Sequence, residues 1–192
     1  EDLPADAPMQ DDVAVVIDRL VEMNRGDATF KGRLDLARLG MSGHSYGAVT
    51  TLALAGQSFG PGGFFSFADE RIKAAIAYSP NKPVRGDPSD YPTIYGDIRI
   101  PIFHMTGTED KSPLDRDASP EQRLVPYRNI ENATGLLLVL EGGDHMVFNG
   151  HTRRRAPKPA DERHREGIPK PIAVTDGLTG ETESEFPRAA DH

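Results

Sequence analysis

The segment that most constrains this chain is a short turn with glycine at both ends, residues 43–47, which read Gly-His-Ser-Tyr-Gly. An apolar stretch at residues 36–42 precedes it, and residues 48–55 after it have the composition of a helix. A strand, a tight turn and a helix in this order form a nucleophile elbow, which presents a serine hydroxyl above a sheet. We expect both glycines to be required because a side chain at either position would collide with the neighbouring strand or helix. The sequence thus predicts Ser45 as a nucleophile in a strained backbone conformation.

A serine hydroxyl is a weak nucleophile at neutral pH, so it needs a histidine base that is itself oriented by an acid. In a fold with this elbow, the acid and then the histidine follow in chain order, each in a loop after a later strand. A predicted strand at residues 98–106 leads into Gly-Thr-Glu-Asp, which places Asp110 where the acid belongs. Glu109 and Asp115 are alternatives for the same role because they lie in the same loop.

The base is predicted from the next strand, residues 136–141, which ends in a glycine-rich turn containing His145. Asp144 beside it is interpreted as a turn residue. His44 adjoins the nucleophile, and His104 lies within a predicted strand, where a packed core imidazole is the expected role. The other histidines lie in polar sequence at His151, His164 and His192. Ser45, Asp110 and His145 therefore follow one another in the order that the elbow requires.

The three segments together resemble the α/β-hydrolase superfamily. They read Gly-His-Ser-Tyr-Gly-Ala, Met-Thr-Gly-Thr-Glu-Asp-Lys-Ser-Pro and Gly-Gly-Asp-His-Met-Val-Phe, and the resemblance covers residues 10–150. Within the superfamily, the chain is similar to bacterial predicted dienelactone hydrolases, with kinship to platelet-activating-factor acetylhydrolase-like and polyester-degrading esterases. True dienelactone hydrolases carry a cysteine nucleophile where this chain has Ser45, so their lactone substrate is not carried over. The resemblance implies serine-dependent hydrolysis of a carboxylic ester, with Ser45, Asp110 and His145 at the matching catalytic positions.

Further residues are candidates for binding the reacting group. The N–H of Tyr46 is expected at a helix N-terminus, where the helix dipole stabilises an oxyanion. No His-Gly segment that would supply a second donor precedes Ser45 at a suitable distance. A glycine-rich loop carries four phenylalanines, which line an acyl or alcohol pocket or else anchor the loop in the core: Phe59, Phe64, Phe65 and Phe67.

Acyl transfer through an acyl-enzyme needs no metal or organic cofactor. An amidase, peptidase or thioesterase is the alternative among enzymes, since the same triad serves all acyl transfers and the pocket decides between them. A noncatalytic binding module with a hydrolase-like fold is the alternative from a different class.

Composition limits the partners of the chain. With 22 basic and 30 acidic residues among 192, the net charge is −8, which argues against nonspecific nucleic-acid binding. The absence of cysteine excludes disulfides and thiolate metal sites. No apolar run of membrane-spanning length and no signal-peptide pattern is present. Cytoplasmic and secreted locations both remain open, since a signal peptide upstream of Glu1 is compatible with the sequence.

The expected fold class is α/β, with a mainly parallel sheet flanked by helices, corresponding to an α/β-hydrolase fold that lacks its N-terminal strands. The pattern predicts one amphipathic helix at residues 8–24 and a second at residues 119–130, with Ser119 as its N-cap. Residues 83–97 are expected to be irregular because they hold three prolines. Four strands are predicted, at residues 36–42, 73–79, 98–106 and 136–141.

Two consequences follow for domain organisation. The catalytic domain is expected at residues 1–150, followed at residues 151–192 by a polar, proline-rich, charged tail with too little apolar surface to order. The arginines at residues 153–155 are interpreted as part of a solvated tail, with an anionic partner as the alternative. The elbow strand is expected to form an exposed sheet edge, which upstream residues or a second copy in a homo-oligomer would complete.

Overall fold

A six-stranded, mainly parallel sheet organises the chain, as seen in a computed structural model that describes residues 11–60, 63–84, 87–113 and 118–149. It describes the backbone alone for residues 7–10, 171–176 and 182–183. The helices are α1 (Ala7–Gly26), α2 (Tyr46–Ala55), α3 (Tyr91–Tyr95) and α4 (Val125–Asn129). The strands are β1 (Leu39–His44), β2 (Ser58–Phe59), β3 (Phe65–Ser66), β4 (Ile72–Tyr78), β5 (Ile102–Glu109), β6 (Gly135–Asp144), β7 (Pro171–Asp176) and β8 (Thr182–Glu183).

The strand order is β1-β4-β5-β6-β7-β8, and the first four strands run parallel. β7 pairs antiparallel with β6, and β8 pairs antiparallel with β7. The prediction of an α/β fold with a mainly parallel sheet is confirmed. Among the described strands β1 ends the sheet, so its ladder has a partner on one side only. Because the carboxyl ends of parallel strands meet at one edge, the loops after β1, β5 and β6 lie together.

The apolar core lies where α2 packs on β1 and β4. Ala48 and Leu52 of α2 are fully buried, as is Ala77 of β4. At the amino ends of the strands, Tyr95 and Ile98 close the core. Helix α1 contributes Ile17, which is 4% exposed, and an ion pair joins Asp18 to Arg71 just before β4. These contacts fix α2 against the sheet, and with it the position of Ser45 at its N-terminus.

Several predicted boundaries are shifted. The elbow strand begins at Leu39 rather than at residue 36 because the carboxylate of Asp35 caps a turn by accepting the N–H of Ala37. Strand β5 begins at Ile102 rather than at residue 98, directly after Pro101, which has no N–H to donate to a ladder. Strand β6 is longer than predicted and continues through its glycines to Asp144.

Two segments expected to lack regular structure contain it. The phenylalanine-rich loop is a two-stranded antiparallel hairpin of β2 and β3. The segment at residues 83–97, expected to be irregular, holds a 3-10 turn at Pro88–Asp90 followed by α3. Asp87 caps that turn by accepting the N–H of Ser89, and proline is compatible with a first helical turn. The prolines thus begin helical structure here instead of preventing it.

The predicted helix at residues 119–130 is divided. A 3-10 helix spans Pro120–Leu124 and continues into α4, and Ser119 occupies the N-cap position without a side-chain capping bond. Pro126 interrupts the hydrogen-bond pattern because its nitrogen carries no hydrogen. This tight geometry turns the side chain of Arg123 toward the carboxyl ends of the strands, where it reaches Asp110.

The prediction of only four strands is wrong, because the phenylalanine-rich loop supplies β2 and β3 and the charged tail supplies β7 and β8. The remaining tail residues, including the arginines at 153–155, lie outside the described residues. Across the described ranges, no helix combines the length and apolar character that a membrane crossing requires.

Candidate active site at the carboxyl ends of the strands

Ser45 occupies the tight turn between β1 and α2. Its φ of 57° lies in the left-handed region, which is unfavourable for a residue with a side chain. The N–H of Ser45 donates to the carbonyl oxygen of Tyr78 at 2.9 Å, which ties the turn to the end of β4. A side chain at Gly43 would overlap the carbonyl group of Gly47. The expected strain at Ser45 and the expected need for glycine at position 43 are therefore present.

The expectation for the second glycine is wrong. Beyond its chain neighbours and the backbone of its own helix, a Cβ placed on Gly47 would meet no heavy atom within 4 Å, and the residue has no positive φ that would favour glycine. The crowding at the elbow is one-sided, because what Gly43 must avoid is the backbone of Gly47 itself. A small side chain fits at position 47.

Asp110 and His145 approach each other because β5 and β6 come unusually close at their carboxyl ends. A Cβ on Gly107 of β5 would overlap the carbonyl group of Gly143 of β6. The strand register shifts at this point, and Glu109 pairs with Asp144. The loops that begin after those two residues therefore start side by side, which brings Asp110 within reach of His145 although 35 positions separate them.

A continuous chain of hydrogen bonds joins the three predicted residues. The Oγ of Ser45 lies 2.8 Å from Nε2 of His145, and Nδ1 of His145 lies 2.8 Å from Oδ1 of Asp110. A carboxylate can only accept, so Nδ1 carries the hydrogen and Nε2 is left to accept the serine hydroxyl. The imidazole therefore has the tautomer that can take a proton from Ser45.

The Asp110 carboxyl is fully buried and held in its charged form. Burial alone raises its pKa, but the hydrogen bond from His145 and the nearby charge of Arg123 outweigh burial, so the pKa lies below its usual value. The hydroxyl of Thr106 donates to Oδ2 at 2.8 Å. Both carboxylate oxygens thus have donors, which fixes the orientation of the group.

His44 supports the histidine loop from the elbow side. Its Nε2 donates to the carbonyl oxygen of His145 at 2.7 Å, and the two rings lie 4.7 Å apart. Partial burial lowers the pKa of His44, which favours the neutral imidazole. The sequence suggests His44 only as an alternative to His145 for the base. Its position directly before Ser45 brings its ring into contact with the loop that carries His145.

Arg123 is the residue at this site that sequence reasoning missed. Its side chain is 3% exposed, and its Nε lies 3.2 Å from Oδ1 of Asp110. Position 123 lies in a predicted helix, and no motif marks it. The one signal in the sequence is an arginine in a segment that also carries the apolar residues Leu124 and Val125.

Exposed apolar side chains follow the serine and the histidine in the chain. Tyr46, directly after Ser45, is 45% exposed, and Met146, directly after His145, is 41% exposed. The ring of Phe148 lies 5.4 Å from Tyr78 and 6.5 Å from His44. An apolar group of a ligand could contact these side chains while its polar centre lies at Ser45.

The four phenylalanines proposed for this pocket lie elsewhere. They belong to the β2–β3 hairpin, which begins at the C-terminal end of α2, whereas Ser45 lies at the N-terminal end. A helix of this length spans about 15 Å. The side chain of Ser58 donates to carbonyl oxygens of α3, which ties the hairpin to the amino ends of the strands. The structure therefore places Phe59, Phe64, Phe65 and Phe67 at the other end of α2 from Ser45.

The remaining candidates are distributed as follows. His104 is buried within β5, as predicted for a core imidazole, at 1% exposure. The alternative acid Glu109 ends β5 as an exposed residue, whereas Asp110 directly after it is buried. Asp115 lies outside the described residues, as do His151, His164 and His192. Among the side chains that are described, no group of three or more His, Asp or Glu could hold a metal ion.

Comparisons with known proteins find distant similarity in structure alone. No family model matches the chain, and no curated protein matches it. Two solved structures of puromycin hydrolase match with a TM-score of 0.44 and 16% sequence identity, one of them a mutant complexed with PGG. The match covers 67% of this chain and 21% of the other, so this chain spans about a fifth of the length of puromycin hydrolase. The fold class stated above rests on the sheet topology of the chain itself.

Proposed function

We propose that this protein is a serine hydrolase that cleaves carboxylic esters through an acyl-enzyme intermediate. The observation that carries the proposal is the unbroken hydrogen-bond chain from Ser45 through His145 to the buried Asp110. Ser45 at the end of that chain has a strained, positive-φ backbone. Such strain is maintained where a side chain must be presented in one orientation.

The reaction follows from the hydrogen-bond directions. As Oγ of Ser45 bonds to the ester carbonyl carbon, its proton passes to Nε2 of His145, and Asp110 stabilises the imidazolium that forms. The N–H of Tyr46, at the positive end of the α2 dipole, stabilises the oxyanion. The carbon–oxygen bond to the alcohol then breaks, and the departing oxygen takes the proton from His145. Water repeats the sequence on the acyl-enzyme and releases the acid.

Apolar side chains near the serine and the histidine support an ester with an apolar group next to the reacting carbonyl. Tyr46 directly follows Ser45 and Met146 directly follows His145, both side chains are exposed, and the ring of Phe148 lies 6.5 Å from that of His44. The resemblance of the three motifs to esterases of the superfamily favours an ester over an amide. Neither step requires a cofactor.

The proposal is tested by labelling and by substrate choice. A fluorophosphonate should modify wild-type protein but not the Ser45→Ala variant, since only an activated serine reacts. A p-nitrophenyl ester, a p-nitroanilide and a thioester with the same acyl group should then be compared, and we expect the ester to have the highest kcat/KM. Absence of labelling at Ser45 would indicate a noncatalytic binding module, and faster cleavage of the anilide would indicate an amidase or peptidase.

A further inference from the structure

The guanidinium of Arg123 is buried at the back of the proposed catalytic residues, on the side of His145 away from Ser45. Burial of an arginine is uncommon because removing its charge from water is costly unless every N–H has a partner. Here the side chain is 3% exposed and lies beside a carboxylate that is fully buried. Such a pair is not required by the packing of an apolar core.

Each nitrogen of Arg123 has a defined neighbour. Nε donates to the backbone oxygen of Asp110 at 3.3 Å and lies 3.2 Å from Oδ1 of the same residue. Nη1 donates to the carbonyl oxygen of Ser79 at 3.1 Å and to the side-chain oxygen of Asn81. Ser79 itself has a positive φ of 50°, so the end of β4 adopts an unfavourable backbone at the point where it accepts this bond. The guanidinium is therefore held in one orientation from both sides.

The remaining nitrogen faces the histidine. Nη2 lies 3.1 Å from Nδ1 of His145, and that Nδ1 already donates its hydrogen to Asp110. Two donors cannot share a hydrogen bond, so the approach places a positive charge beside the imidazole without bonding to it. Among the described residues, the charged and titratable groups around His145 are Asp110 after β5, Arg123 before α4, His44 at the end of β1, and Asp144 at the end of β6.

We propose that Arg123 is a positioning residue that orients the Asp110 carboxylate and reduces the proton affinity of His145, so that the histidine remains a neutral base in more acidic solution. Asp110 favours the imidazolium and Arg123 opposes it, and both act within hydrogen-bond distance. At an effective dielectric constant of about 20, one unit charge at this distance changes a protonation equilibrium by tenfold or more. The inference rests on the proposed function, in which neutral His145 is the base.

The test measures the protonation of His145 directly. Imidazole ¹⁵N resonances would be followed against pH in the wild-type protein, in Arg123→Gln and in Arg123→Lys, with His145 assigned by its loss in His145→Gln. We expect the titration midpoint to rise by about one pH unit in Arg123→Gln, a tenfold change in proton affinity, and to stay near wild type in Arg123→Lys. An unchanged midpoint in Arg123→Gln, or an equal rise in both variants, would overturn the proposal.

The glutamine variant leaves Asp110 buried without its cation, and such variants can fail to fold. In that case Asp110→Asn is compared with the double variant Asp110→Asn/Arg123→Gln, which has no buried charge left unpaired at this position. The double variant should have the higher midpoint, and equal midpoints would overturn the proposal.

The titration uses no substrate, so it reports on Arg123 even if the protein hydrolyses no ester. Where esters are hydrolysed, the acidic limb of kcat/KM should move to higher pH in Arg123→Gln by the same unit. If a fluorophosphonate did not label Ser45 of the wild-type protein, the proposed function would be contradicted. The NMR result on Arg123 would still be interpretable.

Discussion

The end of β6 and the interior of β5 each contain a buried histidine, and the two differ in their hydrogen-bond partners. His145, at the carboxyl end of the sheet, is 8% exposed and contacts Ser45 through one ring nitrogen and Asp110 through the other. His104, in the interior of β5, is 1% exposed, and neither of its nitrogens has a hydrogen-bond partner. The comparison teaches that burial alone does not make a histidine functional. A buried histidine becomes functional when its ring nitrogens have hydrogen-bond partners. Such partners lie in the loops after the carboxyl ends of the strands.

The largest difference between the two regions is expected on removing the carboxylate that orients His145. Asp110→Asn should lower kcat by about 10⁴-fold, because the amide holds the imidazole in the wrong tautomer. Glu109→Gln is the matched control, since that neighbouring carboxylate is exposed, and its kcat should be close to wild type. Steady-state hydrolysis of a p-nitrophenyl ester measures both. A severe loss at Glu109 with a mild one at Asp110 would move the acid by one position.

The second prediction tests whether the carboxyl end depends on its backbone geometry. Gly43→Ala should reduce the free energy of unfolding by about 3 kcal/mol, because the new methyl group overlaps the carbonyl of Gly47. Gly47→Ala serves as the control and should cost little, since the space around it is open. Urea unfolding monitored by circular dichroism gives both values. Equal losses would mean that the elbow is crowded on both sides.

The third prediction concerns the unpartnered histidine. Burial lowers the pKa of His104 to about 4, against 6.5 in the unfolded chain, so below pH 6.5 the unfolded state binds more protons. Stability should therefore fall as the pH decreases from 6.5 to 4, by about 3 kcal/mol in total. His104→Leu should remove this part of the acid sensitivity. Urea unfolding at pH 7.5 and pH 4.5 would measure it, and an unchanged difference between the two pH values would contradict the assignment.

The smallest effect is expected at the opposite end of the sheet. Phe64 is 73% exposed on the hairpin, so Phe64→Ala should leave KM for any ester unchanged. Met146→Ala, beside the histidine, should raise KM for esters with an apolar group, by up to tenfold for the contact that is lost. A larger rise in KM for Phe64→Ala than for Met146→Ala would indicate that the hairpin contacts the substrate.

The sequence predicted those parts of the site that follow chain-local rules. The elbow and the order of the three residues depend on strands that are each followed by a recognisable turn. The core position of His104 depends on its place inside a predicted strand. Arg123 could not be predicted because its partners, Asp110 and Ser79, follow two other strands, 13 and 44 positions earlier, and leave no pattern in its own segment. The same holds for β7, a short apolar run inside a polar stretch of sequence, whose pairing with β6 is a long-range contact.

Errors in the local elements had similar causes. The prolines of residues 83–97 predict irregular structure, whereas the 3-10 turn that leads into α3 begins with Pro88. The expected need for glycine at position 47 is wrong because crowding depends on what surrounds the turn and not on the turn itself. Both cases required the three-dimensional neighbours of the residue.

The hydrogen bond between Ser45 and His145 joins residues 100 positions apart, and this separation has a consequence for folding. Contacts between distant residues require a long chain segment to be ordered first, which makes them late and slow. The elbow, α2 and β4 are all complete in sequence before β6 is reached. During synthesis Ser45 therefore emerges before its hydrogen-bond partner, and the bond to His145 forms only when β6 joins the sheet. Reactivity toward a fluorophosphonate would then report the docking of β6 during refolding, whereas the helical signal would recover earlier.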